Sequence, residues 1–359
     1  MLAEIEITPV HWVGFVVVVL LFLSLDLGVF HRRAHVVKFT EAVVWTIVWF
    51  SLAMLFAFVF VNPNLGDRKA VLFVTGYITE LSLSMDNVFV IALIFTYFRI
   101  PTEYQHRVLF WGILGALIMR GLMILAGVSL INRFQWILYG FGVFLLYTGI
   151  KMIFAEEEGV HPEKNPVIRL ARRIYPVTAT FDGPRFFTRL SDSPQSQGGG
   201  APESGSIRKA GRLALTPLAI VLLMVETTDL LFAVDSIPAI LGLTTDPFIV
   251  FTSNVFAILG LRSLYFVLLG AIRYFRYLKI GLSVVLVFIG VKMLLDPHLN
   301  EADPSAVKRF WFQIQIEPGI SLAIVLSIIL TSVVFSVIVA RRYPSEEKRP
   351  GGRSEAESP

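Results

Sequence analysis

Glu80-Leu-Ser-Leu-Ser-Met-Asp86-Asn87 and Asp229-Leu-Leu-Phe-Ala-Val-Asp235-Ser236 place an acid, a second acid and a small polar residue at identical spacing. Two further signals recur downstream in the same order. Arg120-Gly-Leu-Met-Ile-Leu-Ala-Gly127 resembles Arg262-Ser-Leu-Tyr-Phe-Val-Leu-Leu-Gly270, and Gly149-Ile-Lys-Met-Ile-Phe154 matches Gly290-Val-Lys-Met-Leu-Leu295. Three features at similar separations define an internal repeat. Both acidic stretches lie inside long apolar runs, so the repeat sets carboxylates within lipid-spanning helices.

Composition agrees with that reading. Of 359 residues, 55% are hydrophobic and only 16% charged, against about 25% charged in a soluble domain. A bilayer core about 30 Å thick takes roughly 20 apolar residues per helix. Windows of that size give nine candidate spans, at about 10–31, 40–61, 70–96, 105–131, 134–154, 214–242, 248–270, 275–296 and 317–340. The repeat unit is then three helices, spans 3–5 and spans 6–8. An odd number of spans forces the second copy to cross in the opposite sense. The expected fold is therefore an all-α polytopic membrane protein with about nine transmembrane helices and an inverted repeat. Inverted repeats are a transporter architecture, with the substrate near the midplane at the repeat interface.

Basic residues in the connections set the orientation. They crowd the first loop (Arg32, Arg33, Lys38), the third (Arg99, Arg107), the seventh (Arg273, Arg276, Lys279) and the tail (Arg341, Arg342, Lys348, Arg349, Arg353). The eighth loop, with Lys308 and Arg309, is the exception. An external N-terminus and a cytoplasmic C-terminus in an inner (plasma) membrane fit best. The acidic start, with Glu4 and Glu6, lacks the basic region of a cleavable leader. The organisation is spans 1–5 over 1–154, a cytoplasmic loop over 155–213, spans 6–9 over 214–341 and a tail over 342–359. Within the loop, Asn165–Tyr175 is a basic amphipathic piece suited to a membrane surface. Residues 191–206, rich in Ser, Gly, Pro and Gln, read as a disordered linker.

Six acids fall within the expected spans: Asp26, Glu80, Asp86, Glu226, Asp229 and Asp235. Each costs about 2.5–3.5 kcal/mol at the bilayer centre on insertion scales. Arg120 and Arg262 are the internal counter-charges, one per repeat. They leave an excess of negative charge that suits a cation or several protons and argues against an anion. The competing reading is a set of static salt bridges that only hold helices together. Glu80 and Asn87 are two turns apart and share a face, as do Asp229 and Ser236, and Glu226 joins that stripe. Asp86 and Asp235 fall about 120° off it on a straight helix. Either each serves a different neighbour, or the helix is broken locally so that all converge, and Pro238 favours such a break in span 6. Oxygen ligands without cysteine suit Mg²⁺, Ca²⁺ or Mn²⁺, and all six histidines lie in loops or at span ends.

These signatures, together with Ser253-Asn254-Val-Phe-Ala-Ile-Leu-Gly260, resemble the TerC family of integral membrane proteins. Asp26-Leu-Gly-Val-Phe-His-Arg-Arg-Ala-His35 followed by Glu41 is similar to its Alx branch. The resemblance covers about residues 10–340. It implies metal-ion homeostasis, with Mn²⁺ export as the activity, and it carries the family's acids onto Glu80, Asp86, Glu226, Asp229 and Asp235. Asn87 and Asn254 follow as polar neighbours, and Asp26 lines the approach. The expectation is a divalent-cation exporter, working by proton antiport because a buried carboxylate can trade a metal for protons. It needs no cofactor, and its partners are the bilayer and its metal ion, not nucleic acid. The reading from another class is a membrane scaffold acting in stress response through protein partners of the 155–213 loop. Redox chemistry finds no thiol here, since the chain has no cysteine, and no nucleotide-binding glycine motif. Enzyme chemistry is not indicated.

Overall fold

The computed structural model describes residues 7–25, 39–134, 136–154, 165–178, 181–189, 213–271, 278–295 and 316–342. In chain order the elements are α1 (Pro9–Leu25), α2 (Phe39–Leu55), a π-helical turn (Phe56–Val61), α3 (Asn62–Leu65), α4 (Asp67–Tyr97), α5 (Thr102–Arg133) and α6 (Ile137–Phe154). There follow α7 (Pro166–Ile174), the strands β1 (Phe187–Arg189) and β2 (Leu213–Leu215), α8 (Pro217–Leu241), α9 (Pro247–Ala271), α10 (Leu278–Leu295) and α11 (Pro318–Arg342). Among the described residues eight helices are long and apolar enough to cross a membrane, with α2 to α3 counting as one, and α1 is a shorter apolar helix. Each expected span thus coincides with a helix. Residues 26–31 of the first lie outside the described residues, and so does Asp26.

The helices start where the local chemistry dictates. Asn165, Thr216 and Asp246 each precede a proline and accept a hydrogen bond from a backbone N–H of the first turn. Such a cap satisfies donors that the helix leaves unpaired, and proline at the first position loses nothing by lacking its own. Asp246 does more, because Lys69 at the start of α4 pairs with it at 3.1 Å. Between α3 and α4 the chain turns at Gly66, whose φ of 91° suits a residue without a Cβ. The π-helical turn sits just before Pro63. Proline cannot donate to the preceding turn and crowds its carbonyls, so the helix widens there. The widened turn stacks Phe56 on Phe60 and turns both toward Phe248 of α9.

The packing follows the sequence repeat. The main partner of α4 is α9, the main partner of α8 is α5, and α6 lies along α10. Exchanging α4 with α8, α5 with α9 and α6 with α10 returns the same pairs. At the α6–α10 contact the repeat aligns Gly142 with Ser283 and Gly149 with Gly290. A Cβ on Gly149 would stand 2.9 Å from the Ser283 carbonyl, and one on Gly290 would stand 2.9 Å from the Gly142 carbonyl. Small residues let two backbones touch in a setting where lipid offers no hydrophobic drive to associate. The second span packs on α9, and α11 packs on α10 and α4. Outer faces such as Val13, Leu21, Leu122 and Leu330 stay exposed, as lipid-facing positions can.

The loop region departs from expectation in two ways. α7 is docked and not merely lying on a surface: its Ile168 is buried among Leu215, Leu218 and Ala219. Val167, Leu170 and Ile174 remain exposed beside Arg169, Arg172 and Arg173. A two-stranded antiparallel sheet, β1 with β2, also interrupts the all-α plan. It is three residues per strand, too short for any alternation of residue types to announce it. The linker at 191–206 lies outside the described residues.

Candidate functional site

Arg120 stands at the centre of the molecule. Its side chain is 1% exposed and forms ion pairs with Glu80 of α4 and Asp229 of α8. The guanidinium reaches Asp229 through two nitrogens, Nη2 to Oδ1 at 3.0 Å and Nε to Oδ2 at 3.3 Å. Nη1 also donates to Ser236 Oγ at 3.3 Å and to Asn254 Oδ1 at 3.5 Å. Asn87 Nδ2 donates to Asp229 Oδ1, and Ser84 Oγ donates to Glu80 Oε1, both at 3.3 Å. Glu80 and Asp229 are the repeat-equivalent acids, so one arginine joins the two halves of the repeat. Asp229 is the middle residue of α8 and Glu80 lies near the middle of α4. The seven-residue faces expected from the sequence are realised, since Glu80 and Asn87, like Asp229 and Ser236, turn to this centre.

Such a cluster is held by mutual need. Removing one partner from a buried ion pair costs about 3–5 kcal/mol because the other charge is stranded. Two carboxylates and one guanidinium leave a formal negative charge in a dry setting. Moreover, Glu80 Oε2 and Asn87 Oδ1 are buried and accept no hydrogen bond. Unsatisfied buried acceptors are rare and costly, and these two lie beside that surplus negative charge.

The remaining acids are arranged differently from the expected convergence. Glu226, half-buried one turn before Asp229, lies against Gly115 of α5, where a Cβ would collide with its carboxylate. The charge on Asp229 bears on it. Asp235 is half-buried, accepts a hydrogen bond from Thr148 and lies within electrostatic reach of Lys151, both on α6. Asp86 is half-buried about 120° round α4 from Glu80 and has a polar or ring partner of its own. Both α4 and α8 run as unbroken helices, which corrects the expected break. Pro238 falls in the last turn of α8 and removes only the bond that an N–H there would make to the Val234 carbonyl, and the helix runs on to Leu241. Among the described residues no three of His, Asp and Glu are gathered closely enough to hold a metal ion.

Sequence reasoning named Arg120 and Arg262 as the internal counter-charges and passed over two lysines within the spans, one buried and one exposed. Lys292 is 1% exposed within α10, and Lys151 occupies the equivalent position on α6. Both stood inside the third repeat signature. The surplus of negative charge is therefore smaller than the arginines alone indicate. Gly115 carried no signal beyond being a glycine in an apolar helix.

These features define a multi-pass membrane protein with a buried network of charged side chains at mid-membrane, assembled from both halves of a repeat. The chain belongs to the integral membrane protein TerC family, whose profile matches residues 65–343. It is 47% identical over 340 residues to the Uncharacterized membrane protein STKORF319 of Myxococcus xanthus, covering 95% of this chain and 96% of that one. It is 41% identical over 353 residues to the "Putative membrane-bound redox modulator Alx" of Escherichia coli strain K12, covering 96% and 98%. An uncharacterized membrane protein of Rickettsia bellii is 34% identical over 327 residues, covering 91% and 97%. No solved structure matches the chain.

Proposed function

We propose that this protein exports a divalent cation, Mn²⁺ by preference, across the inner membrane in exchange for protons. The carrying observation is the pair Glu80 and Asp229. They are repeat-equivalent carboxylates, buried at the centres of α4 and α8 and bridged by one cation, Arg120, with Glu80 Oε2 and Asn87 Oδ1 left as open acceptors. In this reading α4–α6 and α8–α10 cross the membrane in opposite senses, with the N-terminus outside and the C-terminus in the cytoplasm. Glu80, Asp229 and Asn87 form the deep part of the path, with Glu226 and Asn254 completing it. Asp86 and Asp235 serve as matched carboxylates on the two sides, and Asp26 lines the approach. A set made only of oxygens favours a hard or borderline ion over Zn²⁺. Arg120 holds the deep carboxylates while no metal ion does, so entry of the ion requires the guanidinium to swing away.

The test is export from cells carrying Asp86→Asn or Asp235→Asn. Each change keeps the shape and removes one charge. Each is expected to abolish Mn²⁺ export while the protein inserts and accumulates normally. Static salt bridges would lower protein level instead, and a scaffold would tolerate both changes and fail when residues 155–213 are cut. An amide variant that is fully abundant and exports like the parent would sink this site.

A further inference from the structure

The deep pair of acids is symmetric in the repeat, yet its arginine comes from one repeat only. Equivalent to Arg120 is Arg262, which is 8% exposed on α9. Mapping each partner of Arg120 through the repeat shows what Arg262 would meet. Glu80 becomes Asp229, Asp229 becomes Glu80, Ser236 becomes Asn87 and Asn254 becomes Gly112. Thus Arg262 would address the same two carboxylates, with the Asn87 side chain in place of the Ser236 hydroxyl. Two of those atoms, Glu80 Oε2 and Asn87 Oδ1, are the buried acceptors that Arg120 leaves without a hydrogen bond.

Resting on the inverted-repeat transport reading above, we infer that Arg262 is the alternate counter-ion of the site: the carrier changes sides by exchanging Arg120 for Arg262 on Glu80 and Asp229. A second, independent asymmetry accompanies the first. At the start of α4 Lys69 pairs with Asp246, and Thr244 beside it is buried, only 1% exposed. The equivalent of half-buried Glu226 is Tyr77, 1% exposed. One half therefore presents a half-buried carboxylate and the other a packed phenol. An inverted repeat caught in one state must differ between its halves, and the opposite state follows when the halves trade conformations. Each arginine then stabilises one state, and a ligand or side chain can shift the balance only by its difference in affinity for the two. A divalent cation at the pair competes with both arginines and opens the way to either state.

The chain has no cysteine, so Thr244→Cys supplies a single reporter beside the Lys69–Asp246 pair. In purified full-length protein in micelles, its labelling rate by a polar maleimide reads the fraction open there. Arg120→Gln should raise that rate about tenfold, a shift of the size expected when a minor state gains population. Arg262→Gln should lower it below the parent rate. If either variant fails to accumulate, Arg120→Lys or Arg262→Lys replaces it, and must move labelling in the same sense because lysine lacks the two-pronged fork. A merely structural role would shift both arginine variants alike or neither, and either result overturns the exchange. Flux of Mn²⁺ is read on the same preparations after reconstitution. Opposite shifts without flux in the parent keep the exchange and sink the proposed cargo. Intact flux without opposite shifts does the reverse.

Discussion

Replacing Arg120 by methionine tests the electrostatics of the centre most directly. The side chain is 1% exposed and is shared by Glu80 and Asp229. Methionine fills much of the same volume but supplies no donor. Two carboxylates are then stranded together where water does not reach, and Ser236 and Asn254 lose the Nη1 donor as well. Breaking a buried ion pair from one side costs about 3–5 kcal/mol, whereas removing the whole set of charges is often neutral. Arg120→Met alone should therefore destabilise by about that amount. Adding Glu80→Gln and Asp229→Asn in the same chain should recover most of it, because the penalty belongs to the unpaired charge and not to the lost volume. The coupling is read by denaturant unfolding in mixed micelles for the parent, the single variant and the triple variant, as a thermodynamic cycle. A single variant within about 1 kcal/mol of the parent, where unremarkable substitutions fall, would refute the argument. So would a triple variant no more stable than the single one.

Other expectations follow from separate features. Gly290→Leu should split α6 from α10, because even a Cβ there meets the Gly142 carbonyl at 2.9 Å. Overpacking of this kind costs about 1–3 kcal/mol or more, visible as loss of folded protein in a detergent stability assay. In reconstituted vesicles Mn²⁺ uptake should resist competition by Zn²⁺ and yield to unlabelled Mn²⁺, and a strong Zn²⁺ preference would count against an oxygen-only path. Reporter fusions at Pro202 and at the C-terminus should both report the cytoplasm, and a reporter at Pro202 found outside would overturn the inverted assignment.

Much of the fold is legible because lipid imposes a simple rule. Every backbone polar group must be satisfied inside the segment, so apolar runs of sufficient length become helices. That rule locates the spans, and the capping residues Thr216 and Asp246 fix where two of them start. It does not reach the π-helical turn, which depends on how Pro63 distorts the turn before it, nor the docking of α7 through Ile168. The shared face of Glu80 and Asn87 follows from helical period alone. The break expected near Pro238 does not occur: the proline removes one bond to the Val234 carbonyl, and α8 continues past it to Leu241.

The repeat tells which residues are equivalent, and that is also where its power ends. Equivalent residues invite equal roles, yet the structure treats the two copies of the repeat unequally. Glu80 and Asp229 share one arginine and not two. Lys151 is exposed while Lys292 is buried, and half-buried Glu226 answers to packed Tyr77. None of these differences is written in the spacing of the signatures, because spacing is common to both copies. A list of acids therefore overstates the negative charge of the centre, since the arginine that balances Glu80 and Asp229 lies outside the acidic signatures. The physical content of the site is thus the inequality between the copies. The exchange of that inequality from one copy to the other is the step that the proposed carrier would perform.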